Sequence, residues 1–236
     1  MKGTLYLLPV TLGSGEASLV LPQPVIELAR RLDTFVVENE KSARQFLSAI
    51  KPLKPVRELE LLTLNEHTAD QDIPALLAPL LAGRDVAVMS EAGCPGIADP
   101  GARLVALAHR RGIAVKPLVG PSSILLALIA SGLDGQRFSF LGYLPAEKAA
   151  RIDKLREIEQ RSAKLDETQI FIETPYRNQH LFEDMIMQCR ADTRLCVATN
   201  LTLDDERIQT RTAAEWKTSA LPDLHKKPTV FLLLAS

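Results

Sequence analysis

The stretch that decides the fold runs from Asp85 to Gly101 and reads DVAVMSEAGCPGIADPG. It opens with an apolar run typical of a buried strand and continues with three glycines and two prolines before the next helical pattern. An ordinary connection from a strand to a helix needs only about 2–6 residues. The length of this segment and its glycine- and proline-rich, or bare, composition therefore indicate a loop that binds a ligand rather than a simple turn.

Strand and helix patterns alternate on both sides of this loop. Their order predicts an α/β domain with a largely parallel sheet over residues 1–118. The predicted strands lie at 4–10, 34–38, 59–64, 85–90 and 113–118, and the predicted helices at 24–32, 41–50, 72–81 and 102–111.

A second α/β domain is predicted over residues 119–236. It opens with an apolar helix at 122–131, which we expect to be buried, and continues with a long amphipathic helix at 146–165 that has Ile152, Leu155 and Ile158 on its inner face. Further strands follow one another without long helices, apart from one predicted helix at 175–189. This pattern favours a mixed sheet.

The amino-acid composition limits the classes of protein to which this chain can belong. The 236 residues are 46% apolar and 24% charged, as in a globular protein, and no apolar run is long enough to span a membrane. Basic and acidic residues nearly cancel, so no global field attracts nucleic acid or a membrane surface. The three cysteines form no metal-binding or disulfide pattern, and no signal peptide is recognisable; we therefore expect a cytoplasmic protein with free thiols and no metal.

Bare loops follow three predicted strands, where ligands bind in open α/β sheets. The first contains Pro9 and the segment Gly13-Ser14-Gly15, the second is the stretch quoted above, and the third is VGPSS at 119–123. In the second loop, Asp99 and Pro100 fit the N-cap and first position of a helix. The phosphate-binding patterns GxGxxG and GxxxxGK[ST] do not occur, which argues against a dinucleotide or P-loop fold.

Motifs along nearly the whole chain resemble those of the tetrapyrrole-methylase superfamily of S-adenosylmethionine (SAM) methyltransferases. Within it, the chain is most similar to the branch that methylates the ribose 2′-oxygen of a cytidine in small-subunit ribosomal RNA. The motifs are GTLYLLP at 3–9, ENEK at 38–41, LNEHT at 64–68, SEAGCPGIADPG at 90–101, VGPSSILLALIASGL at 119–133, RFSFLGYLP at 137–145 and IFIETPYR at 170–177.

The resemblance implies two α/β domains with SAM in the cleft between them, in a homodimer. The bare loop would then form the floor under the methionine part of SAM, where side chains would collide with the ligand. By matching position, the implied SAM contacts are Pro9, Ala92, Gly93, Cys94, Ile97, Pro121, Ser122, Ser123, Phe171 and Ala198.

Methyl transfer to a ribose hydroxyl needs in-line positioning and a proton acceptor, and no metal is required. Carboxylates at strand ends are candidates for the base: Glu38, Glu66 beside His67, Glu91 and Glu173. We favour Glu173, because it interrupts an apolar strand just before a helix, and then His67 with Glu66. A solvated or structural role is the alternative for each of them.

An RNA acceptor also requires cations for its phosphates. The predicted RNA-binding residues are Lys148, Arg151, Lys154 and Arg177, with further basic pairs at 110–111 and 226–227. The alternative is a solvated helix face, since acidic residues are interleaved with the cations.

Departures from the ribosomal RNA branch fall mostly on the acceptor side. That branch has His where this chain has Tyr176, and ARELTK where this chain reads ATNLTL at 198–203. The alternatives are therefore a methylase for a tetrapyrrole or another small molecule, and a SAM-binding protein that has lost catalysis.

Overall fold

The computed structural model describes residues 1–13, 16–99 and 101–236. The chain forms two compact units, Met1–Ser122 and Ser123–Ser236. The sequence predictions that involve Ser14, Gly15 and Pro100 lie outside the described residues.

The first unit is built on a parallel sheet, as predicted. Its strands lie in the order β3-β2-β4-β1-β5, and every pairing is parallel. The strands are β1 (Thr4–Leu7), β2 (Thr34–Val37), β3 (Glu60–Thr63), β4 (Val86–Met89) and β5 (Ala114–Pro117). The α-helices are α1 (Ala17–Val20), α2 (Gln23–Arg31), α3 (Glu40–Ile50), α4 (Ala78–Leu81) and α5 (Gly101–Arg110).

Helices cover both faces of this sheet. Alternate residues of β2 point to opposite sides: Phe35 belongs to the same buried cluster as Leu47 of α3, while Val36 belongs to the cluster that contains Leu104 of α5. Burial on both sides explains why β4 is apolar throughout and why Thr34 is the one polar residue of β2. The polar edge strands β3 and β5 are more exposed.

The helix predicted at 72–81 is only partly α-helical. A 3-10 helix covers Ile73–Leu77, and the α-helix α4 is a single short turn. Pro74 and Pro79 lack the backbone N–H that a continuous α-helix would use. A further 3-10 turn at Val56–Glu58 was not predicted.

The second unit has the predicted mixed sheet, in the order β6-β7-β10-β8-β9. Only the pairing of β6 with β7 is parallel. The strands are β6 (Phe138–Tyr143), β7 (Thr168–Ile172), β8 (Arg194–Thr199), β9 (Arg207–Thr212) and β10 (Thr229–Leu234), and the helices are α6 (Ser123–Ser131), α7 (Lys148–Leu165), α8 (Asn178–Gln188) and α9 (Ala213–Thr218).

Two helices of this unit differ from expectation. Helix α6 was expected to be buried, but Leu125 and Ile129 are 51% and 78% exposed, because only one face of the helix packs on the sheet. Helix α8 begins at Asn178 rather than at Pro175, since the Arg177 N–H closes a turn by donating to the Thr174 carbonyl.

Among the described residues, no helix combines the length and apolar character that a membrane crossing requires.

Candidate functional site

Three loops of the first unit are joined at the carboxyl edge of its sheet. The strand order makes β4, β1 and β5 neighbours, so the glycine- and proline-rich loops that follow them lie side by side. The Val10 N–H donates to the Gly93 carbonyl at 2.9 Å, and the Cys94 thiol donates to the Pro121 carbonyl at 3.3 Å. These contacts fix the loop after β4 between the other two.

Glycine is required in these loops mainly by the protein itself. Gly93 has a φ of +70°, and a Cβ there would lie 3.0 Å from Leu12 Cδ2 and 3.3 Å from the Pro121 carbonyl oxygen. A Cβ on Gly120 would lie 2.3 Å from Pro9 Cγ. The sequence interpretation attributed the lack of side chains in this loop mainly to contact with a ligand. At Gly93, neighbouring loops and the left-handed backbone already account for it.

Asp99 organises the end of the loop after β4. Its Oδ1 accepts hydrogen bonds from the Gly96 and Gly101 N–H groups, both at 2.8 Å, as expected for the residue that caps α5. Its Oδ2 is buried and has no hydrogen-bond partner within the described chain. Burial raises the pKa of this carboxyl, and the two N–H donors oppose that shift only in part.

A group of carboxylates surrounds this edge of the sheet. Burial raises the pKa of Glu38, and the charges of Glu91, Asp99 and Glu66 raise it further. Glu38 and Asp99 both line a small cavity at the ends of β2 and β4. Glu38 is therefore a half-buried carboxyl that holds its proton to higher pH than an ordinary glutamate, beside the glycine-rich loop.

A larger cavity of about 370 Å³ lies between the loop after β1, the start of the loop after β4, and helix α3. Its size is within the range of small-molecule sites. Asn39 caps α3 by accepting from the Lys41 and Ser42 N–H groups, and the Ser42 hydroxyl lies 3.3 Å from Glu91 Oε1. The lining residues are Val10, Thr11, Leu12, Gly13, Ala17, Ser42, Ala43, Gln45, Phe46, Ala49, Met89, Ser90, Glu91 and Ala92.

Sequence reasoning missed the wall that α3 contributes to this cavity. The only signal was the small residues Ser42, Ala43 and Ala49 on one side of the helix, which are common in any packed helix. Of the predicted SAM contacts, Ala92 lines the cavity.

The other predicted SAM contacts occupy several environments. Gly93, Cys94 and Pro121 belong to the joined loops, and Pro9 is buried against Gly120. Ile97 is 47% exposed, and Ser122 and Ser123 are half-buried. Phe171 and Ala198 lie in the second unit, where both side chains are buried in interior strands of its sheet.

The predicted catalytic residues lie in contrasting places. The Glu173 side chain is fully buried, and its Oε1 accepts from the Thr174 N–H and from Arg177 Nη2, each at 2.6 Å. Glu66 and His67 follow β3 with about 85% of their side chains exposed, and His67 Nε2 lies 3.6 Å from Glu66 Oε1. Glu173 is thus held by neighbours, whereas Glu66 and His67 are accessible.

The predicted RNA-binding residues also divide. Arg151 is 6% exposed, and its guanidinium donates through Nε and Nη2 to Asp184 Oδ2. This pairing makes it unavailable to a phosphate, so the RNA contact predicted for it does not fit its position. Lys148 has a largely exposed side chain, Lys154 pairs with Glu157 at 2.7 Å, and Arg177 is 40% exposed beside Glu173.

The segment that replaces ARELTK forms a closed turn after β8. The Asn200 amide donates to Asp205 at 2.8 Å, and Glu206 accepts from the Thr202 N–H at 2.7 Å. Asn200 and Thr202 both have positive φ values, 51° and 70°. Residues 198–203 themselves carry no charged side chain, and the acidic residues Asp204, Asp205 and Glu206 follow them directly.

Within the described ranges, no group of three or more His, Cys, Asp or Glu side chains is arranged to hold a metal ion.

Comparison with known proteins identifies the family. Residues 10–217 match the family model of the tetrapyrrole (corrin/porphyrin) methylases. Proteins named ribosomal RNA small subunit methyltransferase I are similar over most of the chain. The one from Vibrio cholerae is 33% identical over 98% of this chain and 76% of its own length, and the one from Haemophilus influenzae is 30% identical over 99% and 78%. The one from Micromonospora olivasterospora is 33% identical, with 88% of this chain matched to 62% of that protein.

Solved structures share the fold. The methyltransferase CobJ superimposes with a TM-score of 0.63 at 20% identity, covering 99% of this chain and 95% of its own. The cobalt precorrin-4 methyltransferase CbiF gives 0.61 at 17% identity, covering 98% and 94%. Family model, relatives and fold agree: the chain belongs to the tetrapyrrole (corrin/porphyrin) methylase family and is a methyltransferase.

Proposed function

We propose that this methyltransferase uses SAM to methylate a ribose 2′-hydroxyl of small-subunit ribosomal RNA. The observation that carries the proposal is the 33% identity, over 98% of the chain, to a protein named ribosomal RNA small subunit methyltransferase I. The structural neighbours at 17–20% identity support the fold alone, so their acceptors give no argument for a tetrapyrrole substrate.

The first unit has features that suit SAM. The cavity of about 370 Å³ can enclose a ligand of that class, and polar groups from Ser42, Ser90 and Glu91 line it beside apolar carbon from Phe46. SAM supplies a methyl group on a positively charged sulfur, and the Glu91 carboxylate in the cavity lining provides a negative charge that favours such a cation. Ala92, Gly93 and the residues joined to them would support the ligand through backbone groups.

We propose Glu38 as the base, because it lines a small cavity beside the glycine-rich loop. A ribose hydroxyl becomes an effective nucleophile when its proton is accepted, and a carboxylate with a raised pKa suits this role better than an ordinary one. The pKa of Glu38 is raised, whereas Glu173 is enclosed and engaged by Arg177. Glu66 and His67 are accessible and remain predicted candidates for the base.

We also propose a cytoplasmic homodimer. Helix α6 leaves Leu125 and Ile129 exposed in the single chain, and a second copy would bury them. The cysteines Cys94, Cys189 and Cys196 are all unpaired, as is usual in a reducing compartment. Sedimentation equilibrium of the parent and of Ile129→Glu tests the dimer: the parent is expected at twice the chain mass and the variant at the monomer mass.

The proposed activity is tested in two steps. Calorimetric titration with SAM and with S-adenosylhomocysteine should give saturable binding of one ligand per chain. Transfer of labelled methyl to small ribosomal subunits that lack this modification should then produce a nucleotide linkage resistant to alkali, because a 2′-O-methyl group blocks strand cleavage.

The outcomes separate the alternatives. Binding of SAM without transfer to subunits or total RNA would show a protein that has lost catalysis. Transfer to a tetrapyrrole but not to RNA would overturn the proposed acceptor. Absence of binding to either nucleoside would overturn the assignment of the cofactor.

A further inference from the structure

In the second unit, the segment after β7 and the segment before β10 are fastened together. The Lys226 N–H donates to the Pro175 carbonyl at 3.0 Å, and the Asn178 amide donates to the Lys227 carbonyl at 2.6 Å. The Leu224 N–H also contacts Gln179 Oε1 at 3.3 Å. Residues 173–177 and 223–227 therefore present one continuous surface, which we call the tyrosine platform.

An aromatic side chain stands exposed on this platform. Tyr176 is 69% exposed and meets the exposed His225 ring edge-to-face, with the ring centroids 6.4 Å apart and the planes at 74°. The contact holds the tyrosine ring from its side and leaves most of its surface in solvent. Packing of the hydrophobic core does not account for an aromatic ring that is both exposed and held in one orientation.

Cations flank the ring. Arg177 donates a hydrogen bond to the buried Glu173 carboxylate, and this bond raises the pKa of the guanidinium. The nearby Tyr143 side chain raises that pKa to a smaller extent. Lys226 lies on the other segment and is exposed, without a carboxylate within 4.0 Å among the described residues. Lys227 shares its charge with Asp223 at 3.6 Å.

Two buried acceptors in the segment around Tyr176 lack donors within the part of the chain that the structure describes. Glu173 Oε2 and Asn178 Oδ1 have no hydrogen-bond partner among the described residues, although both side chains are more than nine-tenths buried. Amino and hydroxyl groups are the donors that such atoms require. A nucleotide carries both, together with a flat base and a phosphate.

We propose that the tyrosine platform binds one unpaired nucleotide of RNA, with the base stacked on Tyr176 and the adjoining phosphate held by Lys226 and Arg177. This inference rests on the proposed function and adds a binding site to it. Stacking on an aromatic ring combined with nearby cations is the general chemistry of single-stranded nucleic-acid recognition.

The acidic turn after β8 limits how much RNA this surface can hold. That turn contains Asp204, Asp205 and Glu206, and the Asn200 N–H at its start donates to the Pro228 carbonyl next to the platform. Its negative charge repels further phosphates on that side. The platform therefore fits an isolated flipped or looped-out nucleotide better than a duplex.

The experiment measures RNA binding without turnover. Fluorescence anisotropy is recorded for the full chain with a labelled unpaired ten-nucleotide RNA, at several salt concentrations. Tyr176→Ala is expected to weaken binding about 5-fold or more, while Tyr176→Phe, which keeps the ring, stays within about 2-fold. Lys226→Gln is expected to reduce the slope of log affinity against log salt by about 0.7.

The matched control is Lys164→Gln, which removes the same charge from the last turn of α7, and which is expected to leave the slope unchanged if binding is confined to the platform. Unchanged affinity in Tyr176→Ala, equal slopes for Lys226→Gln and Lys164→Gln, or equal affinity for a duplex would each overturn the inference. A loss of dimer mass in Tyr176→Ala with unchanged RNA affinity would assign the platform to a subunit contact instead.

Failure here is distinguishable from failure of the proposed function. If the parent methylates subunits but Tyr176→Ala has the parent KM for RNA, only the platform is refuted. If the parent neither binds SAM nor transfers methyl groups, the proposed function fails whatever the anisotropy shows.

Discussion

Replacing Gly120 by alanine tests whether the joined loops form the cofactor site. The new Cβ would lie 2.3 Å from Pro9 Cγ. Nonbonded carbons prefer about 3.5–4.0 Å, so the two segments must separate by roughly 1.2 Å. Overpacking of this kind lowers the free energy of unfolding by about 1–3 kcal/mol. A displacement near 1 Å at a site that positions reactants lowers the rate about 10²-fold.

The control is Gly112→Ala in the same unit. Gly112 has a φ of +61°, and its nearest neighbour to a Cβ is the flexible Lys2 amine at 3.7 Å. Alanine there costs about 1–2 kcal/mol through left-handed backbone strain, far from the loops. Both variants should therefore show similar thermal destabilisation, but only Gly120→Ala should weaken SAM binding by calorimetry and slow methyl transfer. Parent-like SAM affinity in a folded Gly120→Ala protein would refute the reasoning.

Three further predictions follow from the described contacts. Glu38→Gln should lower methyl transfer about 10²-fold or more, and the parent rate should rise with pH above the ordinary glutamate pKa of 4.5. The folded protein binds this proton more tightly than the unfolded chain does. Its free energy of unfolding should therefore fall as pH rises over the same interval, as pH-dependent unfolding would show. Arg151→Ala should lower the free energy of unfolding by about 3–5 kcal/mol in urea titrations, since among the described residues it leaves the buried Asp184 charge with only the distant Lys148 amine at 4.0 Å. Combining it with Asp184→Leu should recover part of the loss. A disulfide reagent at pH 8 should modify Cys94 before Cys189, because burial raises the pKa of the Cys189 thiol to about 12. SAM should slow the reaction at Cys94. Equal rates at Cys94 with and without SAM would contradict the predicted contact.

The architecture was predictable because it depends on the period and order of apolar residues. The alternation of strands and helices led to a parallel sheet in the first unit, and the return of strands without long helices led to a mixed sheet in the second. The adjacency of the three loops was also accessible, since carboxyl ends of parallel strands share one edge. Pro74 and Pro79 indicate that the helix at 72–81 is broken. The prediction of one continuous helix followed the spacing of the apolar residues and did not take these prolines into account.

The environment of individual charges was less accessible. Arg151 was grouped with exposed cations, although it precedes Leu155 by four residues and Ile158 by seven, a spacing that places it on the buried face of α7. The burial of Arg151 is compensated by its ion pair with Asp184 on α8. The sequence around Arg151 contains no pattern that predicts this partner. The pKa of Glu38 is likewise raised first by burial and then by the charges of Glu91 and Asp99, and all of these depend on residues distant in sequence.

The position of β10 affects how this sheet is assembled. β10 lies between β7 and β8 at the centre of the sheet, although it follows the other four strands of that sheet in the chain. Until residues 229–234 leave the ribosome, β7 and β8 each carry an open edge of unpaired backbone groups, the feature that drives strands of different chains to associate. Nascent chains of this enzyme therefore pass through an aggregation-prone interval that ends only when β10 inserts, and stalled or truncated translation products should depend on chaperones.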